Sequence, residues 1–202
     1  MLNDDELRVF SQHIRQEAKD VLSQTKVEPV LKSYGASHLI GSYAYDVMLK
    51  RDIDFHVVVP ALEPALAKKF FDWAVDAQAF EYVLFHDKHT FNAQAALRYP
   101  TNIALDSYSF GLRLAYKGNE WQIGVNFITQ PQAVSEEIVG MMADITEEQR
   151  RQVLRFKYEL QQRNFNVSSS FIYRAVIERH AHTWAELTSY LRSLGYRITD
   201  AA

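Results

Sequence analysis

The sequence predicts an α/β (α+β) fold, a mixed sheet flanked by helices with a C-terminal helical segment. Three observations carry this. Leu7, Phe10, Ile14, Ala18, Val21 and Leu22 recur at helical spacing near the start, which gives a helix one apolar side. Residues 109–129, SFGLRLAYKGNEWQIGVNFIT, alternate with period two around Lys117-Gly118-Asn119, the pattern of a β-hairpin with a turn-forming centre. Beyond Pro131, Thr146-Glu147-Glu148-Gln149 and Thr183-Trp184-Ala185-Glu186 are capping-box patterns, each opening a helix.

The elements follow in chain order. Asn3 is placed to cap the first helix, and Asp4, Asp5 and Glu6 complement its positive N-terminal dipole. It should run to about Ser23. After Pro29 a short segment leads to ASHLIGS, residues 36–42, a strand that stops at a glycine. Tyr43 to Leu49 reads as a helical turn and Arg51 to Val59 as a second strand closed by Pro60. Pro64 suits the first position of a helix through about Ala79, with Leu66, Phe70, Trp73, Ala74 and Ala77 on one face. From Tyr82 the period changes to two, although HDKHTFNAQAALRYP, residues 86–100, reads as an irregular connection with room for a short strand. The C-terminal part holds three helices: one to about Arg163, one capped by Ser168 to Ser170 and running through Glu178, and one stopping before Gly195. The expected division is a sheet-bearing domain over 1–130 and a helical segment over 131–202 packed on it.

At 202 residues with 48% hydrophobic content, the chain is long enough to bury a real core. Its formal net charge of -3 argues against a surface that coats nucleic acid. The charge is uneven: residues 1–145 hold 13 basic and 19 acidic side chains, whereas residues 146–202 hold 9 and 6. The absence of cysteine excludes disulfides and thiolate metal sites. The N-terminus, MLNDDELRVF, is acidic where a secretory leader is basic. No run approaches the roughly 18 apolar residues of a membrane span. The expectation is a cytoplasmic protein without a membrane partner.

The chemistry concentrates in LIGSYAYDVMLKRDIDFHVVV, residues 39–59. Asp52 and Asp54 interrupt the apolar series Ile53, Phe55, Val57, Val58, Val59, so something must offset two neighbouring carboxylates. On a strand, residues i and i+2 share a face, which points both acids the same way about 7 Å apart. Such a pair can share one divalent ion or hold two. Carboxylate oxygens without cysteine or a histidine cluster favour Mg2+ or Mn2+, and magnesium keeps positions open for phosphate oxygens. Gly41-Ser42 ends the preceding strand, where backbone amides and a hydroxyl can meet an anion. A nucleoside triphosphate is the ligand that joins the two halves.

The pattern hydrophobic-Gly-Ser, nine intervening residues, then Asp-hydrophobic-Asp-hydrophobic resembles the nucleotidyltransferase superfamily, and within it the minimal and antibiotic-modifying types. Ile40, Gly41, Ser42, Asp52, Ile53, Asp54 and Phe55 carry it, and the order of elements agrees from about residue 25 to 130. The resemblance implies a nucleotidyltransferase-like mixed sheet, magnesium, and transfer of a nucleotidyl group to a small-molecule or protein hydroxyl. It gives Asp52 and Asp54 the catalytic and metal-ligand roles, and Gly41 and Ser42 the phosphate contacts. The family usually carries a third carboxylate on a later strand, where this sequence reads Trp121-Gln122-Ile123-Gly124-Val125-Asn126. Its place falls on Gly124. Asn126 and Gln122 share that face, but an amide is a weaker ligand and no useful base. Asp106 and Asp46 are the alternative acids.

Plainer readings apply elsewhere. His56 shares the face of Asp52 and Asp54 and reads as a buried or rim histidine before a phosphate contact. His86 and His89, like His180 and His182, lack helical i,i+4 spacing and a third ligand for zinc. Lys50 and Arg51 flank the acids as strand-entry charges that can also meet a triphosphate. The helices after Ser168 read as an αα-hairpin with ordinary core stripes rather than a DNA-reading pair. A rival from another class keeps the same fold as a catalytically degenerate nucleotide-binding or protein-interaction module.

Overall fold

The structure, a computed structural model, describes residues 2–90, 106–130 and 133–198, with side chains omitted at 133–135. The elements in chain order are α1 (Asp4–Thr25), α2 (Val27–Lys32), β1 (Ala36–Ile40), α3 (Gly41–Ala44), β2 (Asp52–Val58), α4 (Pro64–Asp76), β3 (Tyr82–Asp87), β4 (Tyr108–Tyr116), β5 (Asn119–Ile128), α5 (Ala133–Ala143), α6 (Glu147–Gln162), α7 (Ser169–Ile177) and α8 (Trp184–Ser193). The sheet has five strands in the order β1-β2-β5-β4-β3. Only the β2-β5 pair is parallel; the others are antiparallel. The expected mixed sheet flanked by helices is therefore present.

Two compact units divide the chain: Met1–Gln16, Ala44–Lys50 and Ala133–Ala202 form one, Glu17–Tyr43 and Arg51–Gln132 the other. This partition differs from a linear boundary near residue 130. The first part of α1 and the segment after α3 share a core with the C-terminal helices, because Leu7, Val47 and Leu49 are buried in one cluster with Val153, Leu154, Phe156, Ile172 and Leu187.

In the sheet unit, alternation sorts the side chains. Ile53, Phe55 and Val57 of β2 and Ile123, Val125 and Phe127 of β5 are buried, and they share one face because successive strand residues point to opposite sides. Phe70 of α4 closes that face, edge-on to Phe110 and Phe127. Burying side chains of this size contributes about 2 kcal/mol each. Lys117 and Gly118 both have positive φ, the two-residue turn whose twist suits a tight hairpin, so β4 and β5 pair from Tyr108 with Phe127 to Tyr116 with Asn119.

Helix ends agree with local chemistry in several places. Asn3 and Glu6 cap α1 reciprocally, and Thr146 and Thr183 form capping boxes with Gln149 and Glu186. Ser168 precedes α7 without a side-chain cap; its hydroxyl meets that of Ser170 instead. Two helices depart from expectation. Pro29 lies within the first turn of α2, where no donor is missed, and the C-terminal part contains four helices among the described residues because α5 precedes the Thr146 cap. His86 and Asp87 extend β3, whereas residues 91–100 of the ambiguous stretch lie outside the described residues.

Candidate functional site

β2 explains its own odd composition. Its burial alternates so that Ile53, Phe55 and Val57 enter the core while Asp52 and Asp54 lie half-buried on the opposite face. The two acids are thus on the same side, at the strand start that follows the Gly41-Ser42 turn by way of Lys50 and Arg51. Ile40, the last residue of β1, pairs with Asp54. The chain therefore turns into Gly41 and Ser42 beside the Asp54 carboxylate.

Two glycines make room for that carboxylate. Gly41 has φ of +70°, and a Cβ built there would stand 3.1 Å from Asp54 Oδ2. On the other side, Gly124 is the register partner of Asp54 in β5, and a Cβ there would stand 2.6 Å from Asp54 Oδ1. Each oxygen of Asp54 thus occupies space that a side chain at one of these glycines would claim. Asp52 pairs with Gln122, whose exposed amide is the nearest β5 side chain in register. Ser42, Asp52 and Asp54 all make interactions within the protein.

The neighbouring charges are arranged. Arg51 donates from Nε to Glu17 Oε2 at 3.1 Å, and the Glu17 side chain is only 6% exposed. The Arg51 carbonyl accepts the Gln122 amide at 2.9 Å, tying the start of β2 to β5. Lys50 is exposed. Sequence reading missed the Glu17 contact, which joins residues far apart in the chain with no local signal.

The supplementary candidates have other engagements. Asn126 Oδ1 accepts the Ser109 hydroxyl at 2.5 Å, and Asn126 pairs with His56 rather than with either acid. Asp106 is exposed, contacts His89 Nδ1 at 2.8 Å, and precedes Tyr108, the β4 partner of Phe127. That places it past the open end of the hairpin, off the strand and not in the row of Asp54, Gly124 and Gly111. Asp46, at φ of 59°, belongs to the other unit. Arg8 binds its carboxylate at 2.6 Å and its carbonyl at 3.0 Å while also meeting Glu147, and the bond to Asp46 is foremost in holding the Arg8 guanidinium charged.

His56 is 8% exposed. Burial, with His38 adding to it, pushes its pKa down to about 4, so the imidazole is neutral and reads as a buried ring rather than a cationic phosphate contact. Among the described residues, no group of three or more histidines, cysteines or acids is arranged to hold a metal. Two carboxylates remain. A pair of hard oxygen donors on one strand face fits a magnesium-sized ion whose other positions go to water and phosphate, but not an all-protein cage.

Comparison with family models gives no match, and comparison with curated proteins gives none. Solved structures do match. The polymerase core of TRAMP, an RNA surveillance complex, is similar over 98% of this chain and 61% of that one, with a TM-score of 0.50 and 15% identity. A cytoplasmic RNA terminal U-transferase is similar over 85% of this chain and 53% of that one, again at 0.50 and 15%. The chain has a nucleotidyltransferase-type fold. It covers less than two thirds of either solved chain, and identity this low speaks to the fold alone. On the nucleotidyltransferase-type sheet, Asp52 and Asp54 stand at the strand start following the Gly-Ser turn. No described helix is long and apolar enough to cross a membrane.

Proposed function

We propose that the chain binds a nucleoside triphosphate with magnesium or manganese and transfers its nucleotidyl group to a hydroxyl acceptor, as a small member of the minimal or antibiotic-modifying type. The observation that carries this reading is the Asp54 carboxylate seated between Gly41 and Gly124, on a nucleotidyltransferase-type sheet and next to the Gly-Ser turn. Asp52 and Asp54 would hold the ion. When bound, it supplies neutralisation of phosphate charge.

The chain's own groups do the rest. Gly41 leaves the backbone open to close approach by a phosphate, and Ser42 offers a hydroxyl there. The Glu17–Arg51 pair fixes the entry to β2, so the carboxylates are held before any ligand arrives, and such positioning is the main source of rate in phosphoryl chemistry. The acceptor oxygen bonds to the α-phosphorus as the bond to the bridging oxygen breaks and pyrophosphate leaves. Gln122 and Asn126 accept no proton, so the acceptor's proton passes to solvent. A small-molecule or protein hydroxyl is the proposed acceptor, and a cytoplasmic setting suits the absence of cysteine.

One observation favours a second reading. Gly124, not an acid, faces Asp54, which suits a module that binds nucleotide without transferring it. Calorimetric titration of each nucleoside triphosphate, with magnesium or with excess chelator, tests both readings alongside release of pyrophosphate. Tight binding only with magnesium, lost in Asp52→Asn/Asp54→Asn, is the expected result. Pyrophosphate release then selects transfer, and its absence across acceptors selects the binding module. Equal affinity in chelator overturns the metal in both.

A further inference from the structure

One row beyond the acids, away from the Gly-Ser turn, the sheet carries a second pair of donors. His38 of β1 and His56 of β2 are direct antiparallel partners, so their side chains leave the same face with Cβ atoms about 5 Å apart. His38 is exposed and His56 is 8% exposed. Among the described residues neither imidazole is seen in a hydrogen bond, and the interaction between them is electrostatic repulsion when charged. Neither His56 nitrogen is a sealed polar atom left without a partner, so nothing cuts the ring's nitrogens off from an incoming ion. Asn126, the partner of His56 on its other side, gives its oxygen to Ser109.

We propose that His38 and His56 form a two-imidazole site for a borderline divalent transition ion of the zinc class, separate from the carboxylate pair. Imidazole nitrogens bind such ions at about 2 Å, and imidazole suits zinc, copper and nickel where carboxylates suit magnesium. Opposed histidines on adjacent strands converge on one ion, which completes its coordination with water, since no third protein ligand stands near among the described residues. The ion bridges β1, a five-residue edge strand, to the interior strand β2. Because β1 runs directly into Gly41 and Ser42, the bridge fixes the strand that delivers the Gly-Ser turn.

Titration of the full chain, stripped with chelator, against zinc chloride alone tests this. One zinc per chain is expected, with affinity at least about tenfold weaker in His38→Ala and unchanged in Asp52→Asn/Asp54→Asn. Zinc should raise the melting temperature of the wild type and not of His38→Ala. Histidine ring proton resonances should shift at His38 and His56 and not at His86, His89, His180 or His182. His38 is exposed, so His38→Ala folds, and a matching far-ultraviolet spectrum checks that. Zinc binding retained in His38→Ala, lost in the aspartate variant, or missing from the wild type overturns the site.

Discussion

Asp54 and Gly124 face each other across the parallel pair β2 and β5, close enough that a Cβ on residue 124 would sit 2.6 Å from the Asp54 carboxylate. The space belongs to the acid, and any side chain at 124 must take it over.

Gly124→Asp therefore brings a second carboxylate against the first. In the absence of metal the variant should melt lower than the wild type, because like charges crowd and Asp54 must turn aside. Added magnesium should recover more stability in the variant than it adds to the wild type. Thermal melts of both proteins over a magnesium series check this, and parallel curves would mean that the new acid does not join Asp52 and Asp54.

Gly41→Ala tests the other wall. The left-handed backbone at φ of +70° costs a non-glycine residue about 1 kcal/mol, and the new Cβ would press Asp54 Oδ2 at 3.1 Å. Urea unfolding should show a loss of about that size, while magnesium-dependent nucleotide affinity falls by about tenfold or more. An affinity unchanged at equal folding would separate the turn from the ligand.

Glu17→Gln removes one partner of a largely buried ion pair. Arg51 keeps its charge at 23% side-chain exposure, so the cost should be about 2 kcal/mol, below that of a fully sealed pair. A double-mutant cycle with Arg51→Met isolates the pair, and a coupling near zero would show that Glu17 acts through other contacts.

The pH dependence has a defined sign. The His56 imidazole has its pKa pushed down to about 4 in the folded chain, against about 6.5 when unfolded. Above the unfolded value both states are neutral and no stability is lost; as pH falls toward 4 the unfolded chain gains a proton the folded one refuses. His56 then removes up to about 3 kcal/mol. The groups facing it are His38, Asp54 and Asn126. Denaturant melts of the wild type and His56→Gln between these limits should diverge accordingly, and parallel profiles would show that the ring is protonated while folded.

Much of this architecture is legible locally. Thr146 and Thr183 announce their helices within four residues, Lys117 and Gly118 announce a turn, and the alternation in β2 separates core side chains from acids. What was hidden is either marginal or distant. Pro29 reads as a break although a proline in the first turn of α2 forfeits no hydrogen bond. In α5, Val134, Ile138, Val139 and Gly140 weaken the helical signal. The partners of Asp46 and Glu17 are arginines many residues away, and no spacing rule connects them. Gly124 could be read as a missing acid, but its closeness to Asp54 depends on a parallel pairing that appears only in three dimensions.

That pairing also sets an order of assembly. The β4-β5 hairpin closes through a tight turn between neighbours in sequence, an event of microseconds for isolated hairpins. β2 must instead find β5 across the long intervening chain, and distant contacts repay their loop-closure entropy late. The Asp54–Gly124 contact is therefore among the later ones to form. During refolding, amide protection along β2 should lag protection at the centre of the hairpin, and a ligand that bridges Asp52, Asp54 and Ser42 would hold the same long loop closed from the inside once that lag is over.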